Sequence, residues 1–166
     1  MESSPCPLVT PLVDFQLGLL EKTRRRALAL AADLTPAQLH AVPKGFSNNI
    51  LWNLGHLVAS QQVLCYVKSG LATRAPAYLM PLFGKGTSPA GWAAANVEID
   101  VTEIRTWVLD TALLLRDDFE AHAFKQYEAY ETSSGAVLTN SGEALTYVLW
   151  HEAMHVGTIA SLRKLV

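Results

Sequence analysis

The sequence predicts an all-α domain, a four-helix bundle with a long crossover loop. Three observations predict it. Apolar residues recur at helical spacing in four long stretches, and capping residues precede each of them. No clean two-residue alternation bounded by hairpin turns appears. The chain has 166 residues, 50% of them hydrophobic and 17% charged, which suits one domain with a buried core and excludes wholesale disorder.

The first helix is marked by Thr10-Pro11, an N-cap followed by proline at the first helical position, and its pattern runs to about Ala32. Leu12, Phe15, Leu19 and Leu20, then Ala27, Leu28, Leu30 and Ala31, supply its apolar stripe. A short turn follows at Thr35-Pro36-Ala37-Gln38, with Gln38 at the capping-box position. The second long helix opens near Ser47-Asn48-Asn49 and continues to about Ser69, where Gly70 can cap it. The third is introduced by Asp100 with Glu103 three residues on, and ends near Asp118. The fourth starts at Asn140-Ser141-Gly142-Glu143 and runs to about Lys164.

Four such helices in one domain argue a bundle, and the connections at 71–99 and 119–139 are long. The stretch ATRAPAYLMPLFGKGTSPAGW interleaves aromatics with Pro and Gly and reads as a structured loop. It either shapes a site or covers the core.

Composition narrows the function. The net charge is −2, the pI is about 6.2, and the basic triplet Arg24, Arg25 and Arg26 reads as a solvated helix face. Nucleic acid is disfavoured as a partner. Cys6 and Cys65 do not form a disulfide framework. No basic segment precedes an apolar one at the start, and no run approaches the ~18 apolar residues of a membrane span. The expectation is a cytoplasmic protein that engages no membrane.

Five histidines carry the chemistry: His40, His56, His122, His151 and His155. His151 and His155 are one helical turn apart within HEAMH, so both rings can reach one metal ion. HExxH is also the zinc-protease signature, but that reading lacks a third ligand. Val156 to Val166 contains no His, Asp or Glu, and the positions where an extended motif needs Gly and His hold Thr158 and Ser161. An upstream ligand is then required, and His56, flanked by Leu54, Leu57 and Val58, is the best candidate. Two readings stand for it, a satisfied core histidine or a ligand. His40 and His122 adjoin loops and read as surface residues.

Around the histidines, Glu152 is either a general base or an exposed glutamate beside the buried stripe. Trp52 and Tyr147, one turn before His56 and His151, either line a pocket or pack the core. Asn53 and Gln61 are candidate hydrogen-bond partners for ligating rings. Cys65 lies nine residues beyond His56, over ~10 Å along a helix axis, too far to ligate.

NNILWNLGHLVASQQ, FGKGTSP and ALTYVLWHEAMHVGTIASLRK, with LTPAQLH after the first helix, resemble the DinB/YfiT-like metal-binding four-helix bundles over about residues 10–164. The resemblance implies a down-up-up-down topology, a homodimer, and one divalent metal ion, zinc or nickel, on His56, His151 and His155. Members of that family include enzymes that use mycothiol or bacillithiol, and related domains occur in ergothioneine biosynthesis. The implied function is a metal-dependent S-transferase or hydrolase acting on a small-molecule substrate with a low-molecular-weight thiol, with Glu152 as the catalytic residue. The alternatives are a non-catalytic metal- or small-molecule-binding bundle and a plain helical dimerisation module whose histidines are coincidental.

Overall fold

Side-chain caps set where the helices of this chain begin. In a computed structural model that describes residues 10–166, Thr10 accepts from the Val13 amide at the start of α1 (Pro11–Ala31). The capping box of Thr35 and Gln38 closes both ways on the one-turn helix α2 (Pro36–His40). Asn49 caps α3 (Ile50–Gln61). Two short helices, α4 (Leu79–Phe83) and α5 (Pro89–Ala94), lie in the crossover. Asp100 accepts from two amides at the start of α6 (Val101–Glu120), and Asn140 caps α7 (Ser141–Leu162). Cys6 lies outside the described residues. Among them, no helix is long and apolar enough to cross a membrane.

Two local features depart from the expectation. The helix expected to run unbroken to Ser69 changes its ladder: after Gln61 it makes a π turn, Gln62–Tyr66, then a 3-10 turn, Val67–Ser69. Gly70 then closes it at φ 69°, a left-handed value that glycine adopts freely. The second departure is a small hairpin inside the last long loop, β1 (Tyr130–Glu131) against β2 (Val137–Leu138), antiparallel. Strands of two residues are too short to show alternation.

The four long helices form a ring in which α1 and α3 each touch both α6 and α7. Their directions follow from the cross-links. Gln16 bonds Thr146, Arg24 bonds Glu152 and Arg163 bonds the Leu30 carbonyl, so α1 and α7 run the same way. Gln61 bonds the Thr111 carbonyl and Tyr66 bonds Asp118, so α3 and α6 also run together. Asp14–Arg116 and Ala31–Arg105 set α1 against α6. The apolar interior falls into two clusters, one around Leu54, Leu57, Val108 and Ile159, the other around Leu17, Leu115, Leu145 and Val148.

A polar layer lies between them, and it corrects the reading of the arginine triplet. Arg25 and Arg26 are exposed, but Arg24 is fully buried. It follows Leu20 by four residues and precedes Ala27 by three, so it continues the buried face of α1. The stripe itself differs from the expected one: Leu17, Leu20, Ala27 and Ala31 are buried, whereas Leu12, Phe15 and Leu19 are exposed.

Candidate metal centre

His56 on α3 and His151 and His155 on α7 converge across the bundle, with candidate ligand nitrogens all within 4.8 Å of one another. The Nε2 atoms of His151 and His155 are 3.2 Å apart. Two nitrogens on a tetrahedral ion with bonds of ~2.0–2.1 Å are about 3.3 Å apart, so this pair already has ligand spacing. A cluster of three imidazoles can therefore hold a metal ion. His40 and His122 are exposed and stand apart from it.

Two of the rings are oriented from behind. His56 Nδ1 lies 2.6 Å from the Phe83 carbonyl, which accepts its proton, so Nε2 carries the lone pair and accepts from the Ser60 hydroxyl at 3.1 Å, a bond that a metal ion would replace. His155 Nδ1 lies 2.7 Å from Asn53 Oδ1, and the Asn53 amide is itself fixed by donating to the Asn49 carbonyl. Trp52 stacks on His56 with centroids 4.4 Å apart, and its indole nitrogen donates to Thr87. The third ring, His151, has its Nδ1 buried without a partner among the described residues, so no hydrogen bond orients it from behind and only its Nε2 contact to His155 and packing hold it.

The phenylalanine can reach His56 because Gly55 has no side chain. A Cβ at Gly55 would overlap the Phe83 ring, so glycine lets the crossover loop lie directly on α3. The Gly-His pair in the sequence thus has one physical cause.

Charge suits ligation. Burial lowers the pKa of His56, and its hydrogen bond to Phe83 offsets this in part. Burial, then the charge of His56, pushes His151 down to about 4. Burial, with His151 and His56 adding to it, pushes His155 down to about 3. Neutral imidazole, the ligating form, is thus the resting state at pH 7.

Glu152 lies elsewhere. One residue around the helix from His151, it points into the polar layer and is fully buried. Both of its oxygens accept from Arg24, the shortest contact being 2.7 Å. Burial raises its pKa and Arg24 pulls the other way. Arg24 also donates to Thr111 and to the carbonyls of Val108 and Leu57, so one buried pair ties α1, α3, α6 and α7 together. Gln61 joins this network, not the histidines, whereas Asn53 takes the expected position behind a ring. Cys65 is buried and free, away from the cluster.

A cavity of about 160 Å3 adjoins the cluster, with His56 and His151 in its wall. Ser60 and Val63 line it from α3 and the π turn, and Lys85 from the crossover. Tyr147 lines it from α7, and the hairpin loop contributes Thr132 and Ser133. A larger groove beside His40 and Trp92 contains none of the three histidines. Sequence reasoning missed Arg24, Ser60, Lys85 and the hairpin. Ser60 was within reach, four residues beyond His56 on the same helical face; the hairpin residues carried no signal.

The family model described as the DinB superfamily matches residues 19–159. No curated protein matches the chain.

Proposed function

Because the chain belongs to the DinB superfamily, we propose that it is a divalent-metal-dependent enzyme acting on a small molecule. Zinc or nickel is held by His56, His151 and His155, and a low-molecular-weight thiol takes part in an S-transfer or hydrolytic reaction. The observation that carries this reading is the convergence of three neutral imidazoles beside a cavity, two of them oriented by hydrogen bonds. Three protein ligands leave a position open, as in catalytic sites.

A bound ion there supplies Lewis acidity, lowering the pKa of a water or thiol in its open position. The protein's own residues do the rest. Phe83 and Asn53 keep the Nε2 lone pairs of His56 and His155 aimed inward. Trp52 covers one face of His56 and excludes water there. Glu152, held by Arg24, enters as the anchor of α7, and Tyr147 and Ser60 line the cavity.

One observation favours a second reading, a non-catalytic binding bundle: among the described residues the cavity lining contains no carboxylate to serve as a general base. The proposal also includes a homodimer in a reducing cytoplasm. Its support is an exposed apolar row, Leu12, Phe15 and Leu19, on one face of α1.

Metal analysis of the purified protein, with His56→Ala and His151→Ala for comparison, tests the site. Wild type carrying no more metal than the variants would overturn both readings. A panel of small thiols and electrophiles then separates them, since turnover supports the enzyme and tight binding without turnover supports the binding bundle. Light scattering should give twice the 18.1 kDa chain mass for the dimer.

A further inference from the structure

We propose that the cavity selects small molecules that carry a carboxylate, which Lys85 holds while another atom of the same molecule occupies the metal's open position. This deepens the proposed function and rests on it.

The reason is uncompensated charge. Three neutral imidazoles leave a divalent ion with its full charge, whereas sites that include a carboxylate ligand neutralise part of it. Among the described residues no Asp or Glu lines the cavity. The nearest acid along the chain, Glu152, is withdrawn into its pair with Arg24, both side chains being fully buried. Lys85 then adds a further positive charge at the cavity, and among the described residues it forms no ion pair. With an ion bound, positive charge would face this space from two sides with no carboxylate among the described lining residues to answer it, and a ligand that brings one is favoured.

The lysine's backbone is preorganised. Two residues before it, the Phe83 carbonyl is fixed on His56, and two residues after it, Thr87 accepts from Trp52 while donating to the loop's own carbonyls. The same side chains that shape the metal centre therefore set where the backbone of the exposed Lys85 stands, and only its side chain remains to be ordered on binding. Ser60, Thr132 and Ser133 line the same space, and the Ser60 hydroxyl, released from His56 Nε2 once an ion occupies that nitrogen, can donate to a carboxylate lone pair that Lys85 leaves open. Ser60 Oγ lies 3.1 Å from His56 Nε2, so its hydroxyl sits beside the ligand nitrogen. A volume of about 160 Å3 suits a compact metabolite rather than a polymer.

The test uses two thiols of similar length, 3-mercaptopropionate, which has a carboxylate, and 2-mercaptoethanol, which has none. Calorimetry measures the affinity of each for protein loaded with one equivalent of zinc. Wild type should prefer 3-mercaptopropionate by about ten-fold or more, the magnitude of one charge-assisted hydrogen-bonded contact. Lys85→Met should collapse that ratio, Lys85→Arg should retain it, and added salt should reduce it in wild type. Equal affinities in fully loaded wild type, or a ratio that survives Lys85→Met, would overturn this inference alone. Failure to take up zinc would overturn the proposed function and this inference with it.

Discussion

The carbonyl oxygen of Phe83 accepts the Nδ1 proton of His56 across 2.6 Å, joining the crossover loop to the metal centre. The contact exists because Gly55 leaves room for the Phe83 ring against α3. Gly55→Ala should therefore push the loop away from the helix. Overpacking of this kind costs about 1–3 kcal/mol, measurable by urea denaturation, and zinc affinity should fall with it. Unchanged stability and zinc affinity would mean that the loop is not held this way.

Asn53 makes a second contact of the same kind. Removing its oxygen in Asn53→Ala frees the His155 ring, and zinc affinity should fall about 10- to 100-fold. Asn53→Asp keeps an acceptor at that place and should retain more affinity than the alanine variant. A competition titration with a chromophoric chelator measures both.

The pair of Arg24 and Glu152 is wholly buried, and every nitrogen of the guanidinium has an acceptor. Glu152→Gln strands the arginine's charge and should destabilise the fold by about 3–5 kcal/mol. The double variant Arg24→Met/Glu152→Leu removes both charges and should recover much of that loss. If the single and double variants are equally stable in guanidinium denaturation, the pair does not hold the helices as described.

Acid should weaken the metal-free protein through its histidines. Burial holds their folded pKa values down, to about 4 for His151 and about 3 for His155, from the 6.5 of a free imidazole. Below 6.5 the unfolded chain binds protons that the fold refuses, so this contribution is intact above 6.5 and lost as pH falls toward 4 and then 3. In EDTA, the thermal midpoint should drop on going from pH 7 to pH 5. His151→Gln/His155→Gln should show a smaller drop over the same interval.

How much of this was legible in the sequence depends on the kind of signal. The long helices were, because Thr10, Asn49, Asp100 and Asn140 announce their starts through local hydrogen bonds. His151 and His155 were too, since one turn of helix fixes their spacing. His56 was the best upstream candidate and the one the family resemblance implies, but only the fold shows α3 facing α7 and removes the alternative of a satisfied core histidine standing apart from the pair. Arg24 looked like its exposed neighbours until the α1 face was known; composition does not distinguish a buried arginine from a solvated one. The Phe83 contact is made by a backbone carbonyl and leaves no residue-type signal. The π turn after Gln61 carries no residue-type signal; Gln62, at its start, accepts from the Arg74 and Ala75 amides of the crossover, contacts that only the fold reveals.

The central claim is that three imidazoles hold one divalent ion through Nε2. Crystals of the zinc-loaded protein, measured on both sides of the zinc absorption edge, test it most directly. One anomalous peak is expected among His56, His151 and His155, about 2.0–2.1 Å from each Nε2, with a further non-protein ligand toward the Lys85 cavity. A cluster without a peak, or an ion bound by other residues, would contradict it.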